Sequence, residues 1–136
     1  MYLSTTKLRV RYAETDKMGF VYYGNYATYY EVGRVECMRG LGIEYAKMEN
    51  ELLIAMPVVE LNIKFIKAAF YDDELTIETI VTALPTKFID FKAKVYNSKS
   101  ELLNEGSVRL LFWDLQTKKI VHCPSIIIEK LQTYFE

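Results

Sequence analysis

Histidine is nearly absent from this chain. His122 is the only one, so none lies between Met1 and Val121. Cysteine is scarce too: Cys37 and Cys123 stand far apart and form no CxxC pair. A zinc site therefore has no ligand set to draw on, and Cys37 reads as a small apolar helix residue rather than a reactive thiol. His122, beside Pro124, reads as a strand-end or surface residue. There is no Pro/Gly/Ser-rich linker, no repeat and no low-complexity stretch, so the 136 residues read as one domain, 1–136, with room for a core. Charge of one sign is missing: 17 basic residues face 18 acidic ones. That argues against nucleic acid and against an anionic membrane surface as partners. No apolar run approaches a membrane span, and MYLSTTKLRV lacks a charged segment followed by an apolar core. The expectation is a reduced, soluble, cytoplasmic protein.

Aromatic residues are plentiful, with 11 tyrosines and seven phenylalanines. Most suit core and interface packing, and some suit the lining of a ligand cavity. A strand is predicted at Thr6–Tyr12, with Leu8, Val10 and Tyr12 on one face. Glu14–Gly24 reads as a loop with Gly19 and Gly24 as its flexible points. Asn25 suits a helix N-cap. Tyr26, Tyr29, Tyr30, Gly33, Cys37 and Leu41 then recur at helical spacing. Gly33 lets that helix approach a sheet closely, and Gly40 and Gly42 stop it. A second short helix is predicted over Ile43–Glu51.

Beyond Ile54 the period changes from helical to alternating. Val59, Leu61, Ile63 and Phe65 alternate with Glu60, Asn62 and Lys64, as in a half-buried strand. Leu75, Ile77, Thr79 and Val81 form the next strand, after a turn at Tyr71–Asp73. Ile89, Phe91, Ala93 and Val95 follow a turn at Pro85-Thr86. Glu101–Asp114 and Lys119–His122 supply two more, and Ser125–Phe135 reads as a final helix opened by Pro124. The order predicts an α+β fold, one long helix on one face of an antiparallel sheet. The open edges of such a sheet are commonly protected by pairing in a dimer.

The segment Arg11–Arg34, RYAETDKMGFVYYGNYATYYEVGR, carries the chemistry. It sets one acid, Asp16, at the end of a strand and ahead of a helix start. A carboxylate there can attack a carbonyl or activate water, while helix amides stabilise an oxyanion. Spacing alone leaves a second reading open, an aspartate that caps a helix or closes a turn. Glu31 and Arg34, three apart, read as a helical ion pair, with a pocket-facing Glu31 as the alternative.

TDKMGFVYYGNY resembles the active-site motif of the hot-dog-fold acyl-CoA thioesterases. It is most like the branch of 4-hydroxybenzoyl-CoA thioesterase and the Tol-Pal-associated thioesterases. The motif is an Asp, two variable residues, Gly, one residue, Val or Ile, an aromatic pair and a helix start. Asp16, Gly19, Val21, Tyr22, Tyr23, Asn25 and Tyr26 match it. YYEVGRVECMRGLG and PVVELNIKFIKAAFYDDELTIET extend the likeness over most of the chain.

The resemblance implies a long central helix wrapped by an antiparallel sheet of about five strands. It implies Asp16 as the catalytic carboxylate, nucleophile or general base, with the Tyr23 backbone N–H polarising the thioester carbonyl. Gly19, Val21, Tyr22, Asn25 and Tyr26 are the implied substrate-binding positions. Val59 and Glu60 join them from the partner subunit's Pro57–Glu60 strand, because sites of this family lie at a dimer interface. Homodimers often pair again into homotetramers. Many relatives carry histidine where Tyr23 stands; a backbone role survives that change and a side-chain role does not. Arginines that grip CoA phosphates in some members are not obvious, and Lys64, Lys67 and Lys87 are the candidate substitutes.

The implied reaction is hydrolysis of a short- to medium-chain or aromatic acyl-CoA to free acid and CoA. It needs no metal or cofactor, because a thioester is already an activated acyl donor. A non-catalytic module binding acyl-CoA or acyl carrier protein on the same fold is the alternative. A dehydratase on this fold would need a histidine paired with an acid on the helix or loop, and none lies between Met1 and Val121.

Overall fold

A computed structural model describes residues 1–136. β1 (Tyr2–Arg9) leads through a 3-10 turn at Tyr12–Glu14 and a loop to the long helix α1 (Asn25–Gly40). A three-residue helix α2 (Tyr45–Lys47) and a π-turn at Met48–Leu52 reach the short β2 (Ile54–Ala55). β3 (Val58–Phe65), β4 (Glu74–Val81), β5 (Phe88–Tyr96), β6 (Leu102–Asp114), β7 (Lys119–Val121) and α3 (Ser125–Gln132) follow. All pairings are antiparallel. β1, β4, β5 and β6 lie side by side, and β3 flanks β6 on its far side from β5. β2 and β7 pair only with the end of β6. The sheet thus has five full strands and two short ones.

Helix α1 buries Tyr26, Tyr29, Tyr30, Gly33, Arg34, Cys37 and Met38, the stripe expected of a 3.6-residue period. It lies across β1, β4 and β5, against a surface built by Leu75, Ile77, Thr79 and Val81 and by Ile89, Phe91, Ala93 and Val95. Both alternations agree with the sequence reading. Gly33 makes the close approach possible: a Cβ there would lie 2.6 Å from Thr79 Oγ1 and 2.8 Å from Ile77 Cγ2. After Gly40 the chain turns through Gly42, whose φ of 82° belongs to the left-handed region that glycine adopts freely. Cys37 is fully buried, and burial pushes its thiol up to about 12.

Several expectations are corrected. β1 ends at Arg9, and Tyr12 sits in the 3-10 turn, 77% exposed, rather than on the inner strand face. Gly24, not Asn25, occupies the N-cap. Ile43–Glu51 is broken into the α2 turn and the π-turn, and the last helix stops at Gln132. The largest correction concerns β3. Apart from Ile63 its residues are exposed on both faces, Val59 at 50% and Phe65 at 51%. Alternation specifies that strand faces are unlike; it does not specify that something covers one of them. β3 has β6 on one side and no strand on the other, so its apolar residues face an open edge.

Candidate active site

The loop between β1 and α1 is a tight, heavily bonded turn. Thr15 and Val21 form an isolated antiparallel bridge. The Asp16 N–H donates to the Phe20 carbonyl at 2.8 Å, and the Gly19 N–H donates to the Asp16 carbonyl at 3.0 Å. Gly19 adopts φ of 85°, which closes the turn without Cβ strain. The loop is also pinned to the sheet side, where the Val21 N–H donates to the Ala69 carbonyl at 2.9 Å and Phe20 bridges Phe70.

The Asp16 carboxylate is half-buried and its two oxygens differ. Oδ1 accepts from the N–H groups of Met18 at 2.9 Å and Phe20 at 3.2 Å. No protein donor reaches Oδ2. One oxygen therefore performs the turn-closing role that the sequence left open, while the other stays available for chemistry.

Across the loop lies the start of α1. The Asn25 N–H donates to the Tyr22 carbonyl at 2.9 Å and the Tyr26 N–H to the Tyr23 carbonyl at 3.3 Å. The N–H groups of Tyr23 and Gly24 have no acceptor in the protein. No side chain caps this helix, so its positive end is left to water or a ligand.

Asp16, Val21, Tyr23 and Tyr26 line one cavity of about 310 Å³. The same cavity takes in Met18 and Phe20 from the loop and Phe65–Ala68 from the end of β3. Its walls are mostly apolar and aromatic. Phe65 meets Tyr26 at a ring separation of 5.7 Å and Tyr23 edge-on at 6.5 Å. Burial pushes the Tyr26 phenol above its ordinary value, so it is neutral near pH 7. No group of three or more His, Cys, Asp or Glu side chains converges to hold a metal ion.

The remaining expected positions lie elsewhere. Gly19 shapes the turn and does not line the cavity. Tyr22 stacks on Tyr23, with ring centres 4.6 Å apart, outside the cavity. The Asn25 side-chain amide donates to the Glu14 carbonyl at 2.8 Å and is thereby occupied. Val59 and Glu60 of the same chain lie at the other end of β3. Glu60 there borders a separate polar groove with Asp90, Lys92 and Arg109. Lys67 touches the cavity, but its ammonium pairs with Glu101. The Glu31–Arg34 ion pair is not formed. Arg34 is only 6% exposed and lies beside Tyr45, while Glu31 is exposed. Phe65, Ile66, Met18 and Phe20 were not anticipated as lining. An apolar residue at a strand end looks alike in sequence whether it packs in a core or walls a cleft.

This loop, helix mouth and cavity, on a sheet wrapped about one helix, define a hot-dog fold of the thioesterase class. Residues 18–104 match the thioesterase superfamily. The chain belongs to that superfamily, a class of thioester hydrolases. It is 37% identical to a DHNA-CoA thioesterase from Staphylococcus aureus, whose crystal structure superposes with a TM-score of 0.85 over 99% of this chain and 85% of that one. YneP of Bacillus subtilis is 35% identical over 102 residues, 75% of this chain and 73% of its own length. The acyl-CoA thioesterase YbgC of Haemophilus influenzae is 31% identical, over 86% of this chain and 85% of its own length.

Proposed function

We propose that the chain hydrolyses acyl-CoA thioesters to the free acid and CoA, with Asp16 as the reacting carboxylate. One observation carries the reading. Asp16, whose Oδ2 is unpartnered, and Tyr23, whose N–H has no acceptor, line one mostly apolar cavity. A thioester carbonyl seated there would present its carbon to Asp16 and its oxygen to the Tyr23 N–H. Charge grows on that oxygen in the transition state, where one aimed N–H donor is worth about 3–4 kcal/mol. The Asp16 carboxylate either attacks the carbonyl carbon or takes a proton from attacking water. Tyr23 contributes through its backbone, which is why the lack of a histidine at position 23 does not disable the site.

The aromatic walls built by Phe20, Tyr23, Tyr26 and Phe65 favour a flat aromatic acyl group, which gains edge and face contacts as well as burial. The volume suits a small acyl group rather than a long chain. We further propose that the chain acts in the cytoplasm, as one domain, and at least as a homodimer. Two copies of β3 joined antiparallel across a two-fold axis would cover Val58, Val59, Leu61 and Phe65. That pairing would set Val59 and Glu60 of the partner subunit beside the Phe65 end of this cavity.

The test is thiol release from a panel of aromatic and aliphatic acyl-CoAs, with wild type and Asp16→Asn side by side. The asparagine keeps a carbonyl oxygen to accept from Met18 and Phe20, so the turn is retained. Turnover should fall by at least about a hundredfold, equivalent to roughly 2.7 kcal/mol of transition-state stabilisation, while the melting temperature barely moves. Near-wild-type hydrolysis by a folded Asp16→Asn protein refutes the assignment. No thiol release by the folded wild type across the panel points instead to a binding module.

A further inference from the structure

Glu14 is an enclosed carboxylate that the proposed chemistry does not use. Its side chain is 14% exposed. It accepts from the Arg11 N–H at 2.8 Å, the Arg11 guanidinium at 3.3 Å and the Tyr29 hydroxyl at 3.0 Å. Its backbone carbonyl accepts from the Tyr22 N–H at 2.9 Å and the Asn25 side-chain amide at 2.8 Å. One residue thus ties together the exit of β1, the return of the Asp16 loop and the first turns of α1. Of the two bonds that join the 3-10 turn to the helix, the one from Tyr29 depends on the Glu14 side chain and the one from Asn25 is to its main chain. Glu14 itself does not line the cavity.

The geometry points to Glu14 as a positioning residue for hydrolysis: its bonds to Tyr29 and Asn25 hold Asp16, two residues onward, in register with the α1 mouth. This rests on Asp16 being the reacting carboxylate. The physical basis is the steep dependence of rate on placement. A reacting group held about 1 Å out of line loses on the order of a hundredfold, and a loop that loses its Tyr29 tie to the helix gains some of that freedom. Enclosing a charge is costly unless it is fully bonded, so an ionised residue here is better explained by the network than by turn formation alone.

The test uses Tyr29→Phe, Glu14→Gln and Glu14→Ala in the full chain, each assayed for kcat and KM by thiol release. Circular dichroism verifies the fold. Tyr29→Phe removes one hydroxyl and Glu14→Gln keeps the shape, so both remain informative if Glu14→Ala does not fold. The expected result is kcat down about tenfold in Tyr29→Phe, which loses the tether, and less in Glu14→Gln, whose amide oxygen still accepts from Tyr29, with KM within about twofold in both. Adding Tyr29→Phe to Asp16→Asn should cost nothing more, because a positioning contact acts only through the group it positions. Two results overturn the inference: unchanged kcat in folded Tyr29→Phe, or the same fold-loss from Tyr29→Phe whether residue 16 is Asp or Asn. Full activity in Asp16→Asn alone would instead bring down the parent reading, and is seen separately.

Discussion

Replacing Gly33 with alanine tests whether α1 is held against the sheet by the missing side chain. The new methyl group would lie 2.6 Å from Thr79 Oγ1 and 2.8 Å from Ile77 Cγ2. Neither neighbour can retreat easily. Both are buried, and β4 is hydrogen-bonded to β1 on one side and β5 on the other. Overpacking of this kind costs about 1–3 kcal/mol. Alanine returns about 1 kcal/mol through its better helix propensity. With both contacts under 3.0 Å the overpacking falls in the upper part of its range, about 2–3 kcal/mol, so the net loss is about 1–2 kcal/mol, or a melting temperature lower by about 3–7 °C for a chain of this size. Gly40→Ala is the matched control. Its methyl would meet only the Tyr2 hydroxyl, at 2.8 Å, at the tip of a side chain that can swing aside. Differential scanning calorimetry of both variants decides the matter. A Gly33→Ala protein as stable as wild type, with Gly40→Ala no better, would show that α1 is not close-packed on Ile77 and Thr79.

Gly106→Ala should be more damaging, because its Cβ would fall 1.9 Å from the backbone carbonyl oxygen of Asn62. β3 must then part from β6, and if the proposed β3–β3 dimer forms in the wild type, analytical ultracentrifugation should show it lost alongside the drop in melting temperature. The pH dependence of stability carries the signature of Glu14. Burial raises its pKa, but the Arg11 N–H, the Tyr29 hydroxyl and the Arg11 guanidinium together outweigh that, leaving it below the ordinary 4.5. A depressed folded-state value means the contribution is complete above 4.5 and disappears as pH falls through the lower folded value. Thermal melts from about pH 6 down to pH 3 should therefore show a shallower acid decline in Glu14→Gln than in wild type. An identical slope would mean that the carboxylate is not preferentially stabilised in the native state.

Much of this protein was readable before folding was considered. The α1 stripe and the strands β4 and β5 follow from local periodicity, because burial against a continuous surface demands a regular spacing of apolar side chains. The Asp16 motif was equally legible: the turn from Asp16 to Phe20 needs a short acceptor side chain and a glycine, and both are close neighbours in sequence. Other features depend on distant segments. Periodicity assigned β3 a covered face, yet β3 pairs with β6 on one edge, has no strand on the other, and leaves its apolar residues apart from Ile63 exposed. Asn25 suited a cap by residue type, but the Glu14 carbonyl lies within its reach and takes the amide. Arg34 is buried beside Tyr45, a residue beyond the end of its helix, and forms no ion pair with Glu31. Phe65 and Ile66 become cavity walls because the end of β3 comes up against the start of α1. Local spacing dictates which way a side chain points along its own helix or strand. What it then meets is set by the packing of elements far apart in the chain, and the cavity exists only in that packing.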